Sequence, residues 1–230
     1  MSNLIAIVGE SGSGKTSSVR NLDSEKTFII STTGKKPGIK GANKKYTNFS
    51  IQDGKISGNF YASANVDQIG KVLQIIDKKM PHITTVICDD YQYVMGFEAM
   101  DRAKEKSYDK FTDIAQHAYQ VLKTAMNMRD DLNVIILTHS ENIGDNVTPM
   151  YRMKTLGKML NSVITLEGLF TYVLFTTILR DDDGKATYKF ITNSDGTCTA
   201  KTPMGLFNEI YIDNDLDYVV KQIKYYNDED

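Results

Sequence analysis

Eight residues near the N-terminus have the types and the spacing of a phosphate-binding loop. They match the pattern G-x-x-x-x-G-K-[ST] and are, in order, Gly9, Glu10, Ser11, Gly12, Ser13, Gly14, Lys15 and Thr16. Glycines let the backbone curl so that successive N–H groups point at phosphate oxygens. In this pattern the lysine reaches the β- and γ-phosphates, and the hydroxyl group of the next residue binds Mg²⁺. The motif, known as the P-loop, predicts that residues 9–16, with Ser17 beside them, bind ATP or another nucleoside triphosphate.

Two consecutive aspartates form a second feature with a clear chemical use. Asp89 and Asp90 follow Val86-Ile87-Cys88, an apolar run that is typical of a strand buried on both faces. Because a bound nucleotide needs a carboxylate to hold its metal ion, we assign Asp89, together with Thr16, to Mg²⁺. We assign Asp90 to the activation of the water that attacks the γ-phosphate. An acidic pair that only caps a turn is the alternative.

His139 is the third candidate, and it comes soon after another apolar run, at residues 132–137. A polar side chain at this strand end can hydrogen-bond the γ-phosphate or the attacking water. His139 is therefore predicted to take part in hydrolysis. A histidine that only satisfies hydrogen bonds within the structure is the alternative.

The elements around these residues predict an α/β fold. Apolar runs at residues 4–8, 27–31, 84–88 and 132–137 alternate with predicted helices at residues 16–22, 66–76, 97–106 and 111–129. Such alternation implies parallel crossovers and a wound, mainly parallel sheet with helices on both faces. Ligands of such sheets bind beyond the carboxyl ends of the strands. The P-loop, the aspartate pair and His139 are all expected at that edge.

The C-terminal part is predicted to add a β-hairpin to this fold. Residues 169–179 and 188–191 form strands around a turn at residues 181–184, and residues 216–225 form a short helix. We therefore expect a P-loop NTPase core over residues 1–180. A hairpin and a short helix over residues 181–230 are expected to pack on it, so that the chain is one domain overall.

Composition and charge exclude several classes of protein. The chain has 230 residues, of which 41% are hydrophobic and 24% charged, with a net charge of −2, so it is not a globally basic nucleic-acid binder. Its two cysteines do not make a disulfide framework. No apolar run approaches the ~18 residues of a membrane span, and no basic signal-like region precedes the first strand. The sequence therefore predicts a cytoplasmic protein that does not contact a membrane.

Other enzymes that use this loop carry motifs that the sequence lacks. A GTPase would have Asn-Lys-x-Asp, but Asn43-Lys44-Lys45-Tyr46 has no aspartate. An ABC ATPase would have Leu-Ser-Gly-Gly-Gln before the Asp89 strand, and the sequence has none. Nucleotide kinases gather arginines around the acceptor phosphate, whereas the five arginines of this chain are scattered. A small-molecule kinase and a nucleotide-gated binding module with little hydrolysis remain the alternatives to an ATPase.

A longer set of motifs resembles the phage-encoded RecA-like ATPases, which are also described as phage nucleotide-binding or single-strand-annealing ATPases. The set covers residues 4–205 and consists of the P-loop, Val86-Ile87-Cys88-Asp89-Asp90, Leu137-Thr138-His139-Ser140-Glu141, Thr155-Leu156-Gly157-Lys158-Met159-Leu160 and Glu167-Gly168-Leu169-Phe170-Thr171-Tyr172-Val173-Leu174-Phe175. The resemblance implies a RecA-like core, hydrolysis of ATP with Mg²⁺ and a role in phage DNA recombination or replication in the host cytoplasm. RecA has its catalytic glutamate at the end of the second strand, where this chain has Ser31-Thr32-Thr33. We therefore give that role to Asp90.

The resemblance also implies a homo-oligomer. In this family the segment after the His139 strand faces the next subunit. Lys158 is therefore predicted to complete a neighbour's site as a positively charged finger, because phosphoryl transfer usually recruits a cation to the developing charge. A lysine on the surface of a helix is the alternative.

Single-stranded DNA and other phage recombination or replication proteins are further partners that the resemblance implies. The expected DNA contacts are the polar loop at residues 141–149, which leads into Arg152 and Lys154, and the lysine-rich loop at residues 35–45. Tyr46 and Tyr151 are the candidates for stacking on the bases. Because the net charge is −2, binding is expected to be confined to a local patch.

Overall fold

The protein is built on an eight-stranded mixed sheet, and the computed structural model describes residues 1–107, 109–145, 147–155 and 165–228. The strands are β1 (Asn3–Val8), β2 (Thr27–Ser31), β3 (Ser50–Gln52), β4 (Lys55–Ser57), β5 (Phe60–Ala62), β6 (Thr85–Asp89), β7 (Asn133–Thr138), β8 (Ser140–Asn142), β9 (Tyr151–Met153), β10 (Tyr172–Arg180), β11 (Ala186–Ile191) and β12 (Tyr211–Asp213). The large sheet has the order β12-β11-β10-β1-β7-β6-β2-β5, while β3–β4 and β8–β9 are separate hairpins. Every pair from β10 to β5 is parallel, and β11 and β12 continue the sheet in antiparallel fashion.

Helices cover both faces of the large sheet. The α-helices are α1 (Ala42–Lys45), α2 (Val66–Lys79), α3 (Gln92–Asp101), α4 (Asp109–Met126) and α5 (Leu216–Asp228), and 3-10 helices span Thr16–Asn21 and Leu166–Leu169. One core lies between the sheet and α2, α3 and α4, and a second lies between the opposite face and the first 3-10 helix with α5. This mixed α/β architecture with a mostly parallel sheet agrees with the sequence prediction and is consistent with a P-loop NTPase fold. None of the helices in the described ranges is both long and apolar enough to cross a membrane.

The central strand β1 shows why the sequence forms this sheet. Leu4, Ala6 and Val8 belong to one core, and Ile5 and Ile7 belong to the other. Side chains alternate between the faces of a strand, so a strand covered by helices on both sides must be apolar throughout. The apolar run of β1 is therefore fixed in the middle of the sheet, and the P-loop begins where this run ends.

Strand order decides which parts of the sequence meet. β1 lies between β10 and β7, and β6 is the next strand after β7. Because these strands are parallel, their carboxyl ends share one edge of the sheet. The P-loop after β1, His139 after β7 and the aspartate pair at the end of β6 are thereby brought together, as the sequence predicted.

Several elements differ from the sequence prediction. The segment after the P-loop is a six-residue 3-10 helix, so it lacks the long row of aligned peptide dipoles that would face a bound phosphate. α3 begins at Gln92, immediately after the turn at Asp90, and it ends at Asp101, whereas the pattern indicated residues 97–106. The strands β5, β8, β9 and β12 have three residues each, which is too short for an alternating pattern to show.

Candidate functional site

The P-loop leaves the end of β1 in a conformation that requires glycine. The N–H of Gly9 donates to the carbonyl oxygen of Thr138 on β7 at 3.1 Å. A Cβ atom on Gly9 would lie 1.7 Å from Oγ1 of Thr176, a residue of β10. Gly12 and Gly14 have φ values of 79° and 99°, in the left-handed region that side chains disfavour. The spacing of the glycines thus matches both the backbone path and the packing of the loop between β7 and β10.

The ammonium group of Lys15 is held inside this loop. Its Nζ atom donates to the carbonyl oxygens of Gly9 at 2.9 Å and Glu10 at 2.8 Å, and the residue is only 5% exposed. Burial lowers the pKa of Lys15, while the carboxylates of Asp90, Asp89 and Glu10 act in the opposite direction. Phosphate oxygens are stronger partners for an ammonium group than these two carbonyls, so an anion that enters the loop can replace them.

Thr16 and Asp89 meet at the base of the site. The Thr16 hydroxyl group donates towards both carboxylate oxygens of Asp89, at 3.3 and 3.2 Å. Asp89 is 7% exposed, and burial, followed by the charge of Asp90, raises its pKa to about 6. A hydroxyl and a carboxylate oxygen fit Mg²⁺, which is usually held by one or two carboxylates together with water and phosphate oxygens.

The two neighbouring aspartates face the site because the backbone turns between them. Successive side chains of a strand point to opposite faces, but Asp90 has a φ of 61°, which is a left-handed conformation outside the strand. The Thr32 hydroxyl group holds this turn, since it lies within hydrogen-bonding distance of the carbonyl oxygens of Asp89 at 3.1 Å and Asp90 at 2.8 Å. Asp89 consequently contacts Thr16, while Asp90 lines the cavity described below.

His139 follows the end of β7 and lies next to Asp90. Its Nε2 atom is 3.5 Å from Oδ1 of Asp90. The side chain of Gln92, at the start of α3, accepts from the Thr138 hydroxyl and from the His139 N–H, both at 3.2 Å, and so fixes the end of β7. Burial and, next, the charge of Lys15 lower the pKa of His139, so its imidazole is neutral near pH ~7.

These groups open into a cavity of about 870 Å³. One wall is formed by the P-loop with Ser17, and the other by the end of β12 and the start of β11. The sequence did not indicate the second wall, because its residues carry no motif and lie far along the chain from the P-loop. The lining residues that it did not indicate are Arg20, Thr33, Tyr93, Ala186, Thr187, Tyr188, Asp213 and Asn214.

Of the residues predicted to act as a finger or to contact DNA, two lie near the His139 strand and one lies outside the described part of the chain. Lys158 lies outside the described residues. Arg152 is paired with Glu141 at 2.7 Å. The N–H of Lys154 donates to the His139 carbonyl at 2.8 Å, which places this lysine beside its own chain's site.

The lysine-rich loop does not form one patch. Lys35 lines the cavity beside the P-loop, whereas Lys44 and Lys45 border a different depression, next to residues 24–25 and 82–83 at the amino ends of β2 and β6. Tyr46 is fully buried in the second core. Tyr46 is therefore not available for stacking on a base, which corrects the expectation from the sequence.

Comparisons with known proteins identify no family. No protein-family model matches the chain, and no curated protein matches it. Among solved structures, the ATPase DotB of Legionella pneumophila aligns with a TM-score of 0.39 and 10% identity, over 85% of this chain and 47% of that chain. The chain thus spans about half the length of DotB. A likeness this distant carries no argument, so the function is argued from the site itself.

The buried charge of Asp89 leads to a prediction about stability. Because its folded-state pKa of about 6 lies above the ordinary value, the carboxylate costs stability above that pH, and the cost is lost as the pH falls towards about 4. Asp89→Asn should therefore stabilise the protein by on the order of 1–3 kcal/mol near pH ~8 without nucleotide or metal. Thermal unfolding in a chelator, from about pH 8 to about pH 4, measures this.

The control for this experiment is Asp182→Asn, which removes one negative charge from an exposed turn. The gain in Asp89→Asn should shrink as the pH is lowered, and the control should show no such trend. If Asp89→Asn is less stable than the unchanged protein near pH ~8, then the carboxylate of Asp89 does not cost stability as inferred.

Proposed function

We propose that the chain is an Mg²⁺-dependent ATPase. The proposal rests on the contact between the Thr16 hydroxyl group and the buried Asp89 carboxylate, at 3.2 and 3.3 Å. Thr16 directly follows Lys15 in the P-loop. A phosphate-binding loop, a lysine and a pair of oxygens suited to Mg²⁺ are the parts that phosphoryl transfer needs. Residues 9–17 would bind the triphosphate, with the Lys15 ammonium group on the β- and γ-phosphates.

Thr16 and Asp89 are the residues that would hold Mg²⁺. The ion would neutralise charge on the β- and γ-phosphate oxygens. In the protein, burial shields the Asp89 carboxylate from water, and the contact with Thr16 holds it in place. Thr16 and Asp89 are in contact before a nucleotide arrives, while Lys15 is bonded to loop carbonyl oxygens that phosphate oxygens would replace.

Asp90 is the proposed base for the attacking water. Its carboxylate lines the cavity and lies 3.5 Å from the neutral imidazole of His139, which can donate one hydrogen bond and accept another. His139 would orient the water or the γ-phosphate. RecA has its glutamate at the end of the second strand, where this chain has Thr32. The Thr32 hydroxyl group is already bonded to the carbonyl oxygens of Asp89 and Asp90. This arrangement supports giving the carboxylate role to Asp90.

Hydrolysis is favoured over transfer to a small molecule. A nucleotide kinase gathers arginines around the acceptor phosphate. Among the described residues that line the cavity, Arg20 is the only arginine. Its guanidinium group already donates to the carbonyl oxygen of Asn214 at 2.5 Å. The kinase and the weakly hydrolysing binding module therefore remain secondary candidates.

The finer proposal is a RecA-like ATPase of phage DNA recombination or replication, acting on single-stranded DNA in the host cytoplasm. It is supported by the sequence motifs that resemble that family. A homo-oligomer with Lys158 as the finger belongs to the same proposal, and Lys35 and Lys154 are cations near the site of the same chain. If the finger comes from a neighbour, specific activity should rise with protein concentration.

The first test is ATP turnover with and without Mg²⁺. Lys15→Ala should lower turnover by at least about 100-fold, because the ammonium group that meets the phosphate charge is lost. Asp90→Asn should retain binding of ATP with Mg²⁺ but lose about 10²–10⁴-fold in rate, because the base is lost. Lys26→Ala, which removes an exposed lysine paired with Asp23, is the control and should behave like the unchanged protein.

The outcomes separate the candidates. Near-normal turnover in Lys15→Ala would contradict the whole proposal. Consumption of ATP that depends on an added nucleoside or nucleotide would favour the kinase. Binding of ATP without turnover in the unchanged protein would favour the binding module.

The DNA proposal has a separate test. A labelled single-stranded oligonucleotide should bind weakly to moderately, and its affinity should fall steeply with salt because the contacts are with phosphates. Fluorescence anisotropy at two salt concentrations, with an ATP analogue and with ADP, measures this. No binding in either nucleotide state at low salt would reject direct DNA contact and leave the ATPase proposal intact.

A further inference from the structure

The wall of the cavity opposite the cations has a different chemical character. Lys15, Arg20 and Lys35 line one part of the cavity, whereas the wall formed by β11 and β12 offers the phenol ring of Tyr188 and the amide of Asn214. The carboxylate of Asp213 is also on this wall and is paired with Lys189 at 2.6 Å. A wall with a ring, an amide and a carboxylate does not favour phosphate. It suits the uncharged part of a ligand.

Asn214 has an unused hydrogen-bonding group on this wall. The residue is 3% exposed, and its Nδ2 atom has no hydrogen-bond partner among the described residues. Its backbone is fixed, because its N–H donates to the Tyr188 carbonyl at 3.3 Å and its own carbonyl accepts from Arg20. A buried amide donor without a partner costs free energy, and a ligand acceptor would remove that cost.

Tyr188 and Asn214 both reach the P-loop. A Cβ atom on Gly14 would lie 3.0 Å from Cδ1 of Tyr188 and 3.2 Å from both side-chain polar atoms of Asn214. Tyr188 is 43% exposed and lines the cavity. A ligand whose phosphates occupy the P-loop would therefore meet this ring and this amide with the part that follows its phosphates.

We propose that Tyr188 and Asn214 form the nucleoside subsite of the cavity and that this subsite prefers purine nucleoside triphosphates. The inference rests on the proposed function, since it needs a triphosphate in the P-loop. Tyr188 stacks on the base, and Asn214 donates a hydrogen bond to the nucleoside. Purines are preferred because their larger ring system overlaps an aromatic side chain more fully than a pyrimidine does. The C-terminal part, residues 181–230, thus supplies specificity to a site whose chemistry comes from the N-terminal part.

Affinities for ATP, CTP and inorganic tripolyphosphate, measured by calorimetry with Mg²⁺, test this subsite. Tyr188→Ala should weaken ATP binding by about 5- to 100-fold, the usual range for loss of a base–aromatic stack. Tripolyphosphate has no base, so its affinity should stay within about 2-fold, which a merely structural role of Tyr188 would not allow. Tyr188→Phe should retain ATP affinity, and the unchanged protein should bind ATP more tightly than CTP.

Tyr211→Ala is the matched control. Tyr211 lies on the adjacent strand β12 with a similar exposure of 39%, but it borders a different depression, so both ligands should bind this variant normally. Equal losses for ATP and tripolyphosphate in Tyr188→Ala, or no loss for ATP, would overturn the inference. Failure of the unchanged protein to bind either ligand would instead contradict the proposed function, and the inference with it.

Asn214→Asp tests the second residue with little change of shape. The substitution removes the Nδ2 donor and adds a negative charge, so it should weaken ATP binding. Asn214→Ser, which is smaller but retains a donor, should bind ATP more tightly than the aspartate variant. The opposite order would overturn the role given to Asn214.

Discussion

The Asp89 carboxylate, nearly withdrawn from water at the end of β6, is the group on which the rest of the site depends. A buried charge is unfavourable unless neighbours compensate it. Here the compensation comes from the Thr16 hydroxyl and the Lys15 ammonium group, which both belong to the loop after β1. The interactions of the Asp89 side chain therefore link β6 to the loop after β1, although β7 lies between these two strands in the sheet. A divalent cation at this point would turn a cost in the free protein into an attraction, which links ligand binding to stability.

The same edge of the sheet also explains how two adjacent carboxylates take different positions. An undistorted strand would direct Asp89 and Asp90 to opposite faces. The left-handed backbone of Asp90, held by Thr32, ends the strand and turns the chain into α3. Gln92, in the first turn of α3, then fixes the strand end that carries His139. Backbone strain of about 1–3 kcal/mol is typical of functional sites, and here it separates a buried carboxylate from one that lines the cavity.

The sequence predicted the parts of this site that depend on local patterns. The P-loop spacing, the apolar runs of β1 and β6, and the polar residues that follow the strands were sufficient to bring Lys15, Asp89 and His139 together. The left-handed turn at Asp90 and the orphan amide of Asn214 were not predictable, because they depend on contacts between distant segments. The short 3-10 helix after the P-loop is a further difference: its composition suits an α-helix, whereas in the structure it is a 3-10 helix that shares a core with α5 and is bonded through Arg20 to Asn214.

A crystal structure with Mg²⁺ and a non-hydrolysable ATP analogue would show whether residues 9–17 and Asp89 hold the nucleotide and its metal ion. We expect the Lys15 ammonium group to leave the carbonyl oxygens of Gly9 and Glu10 and to contact the β- and γ-phosphates. We also expect Mg²⁺ to be held by the Thr16 hydroxyl group and by Asp89, which would bind the ion directly or through water. A triphosphate bound away from residues 9–17, or a metal ion that contacts neither Thr16 nor Asp89, would contradict this assignment.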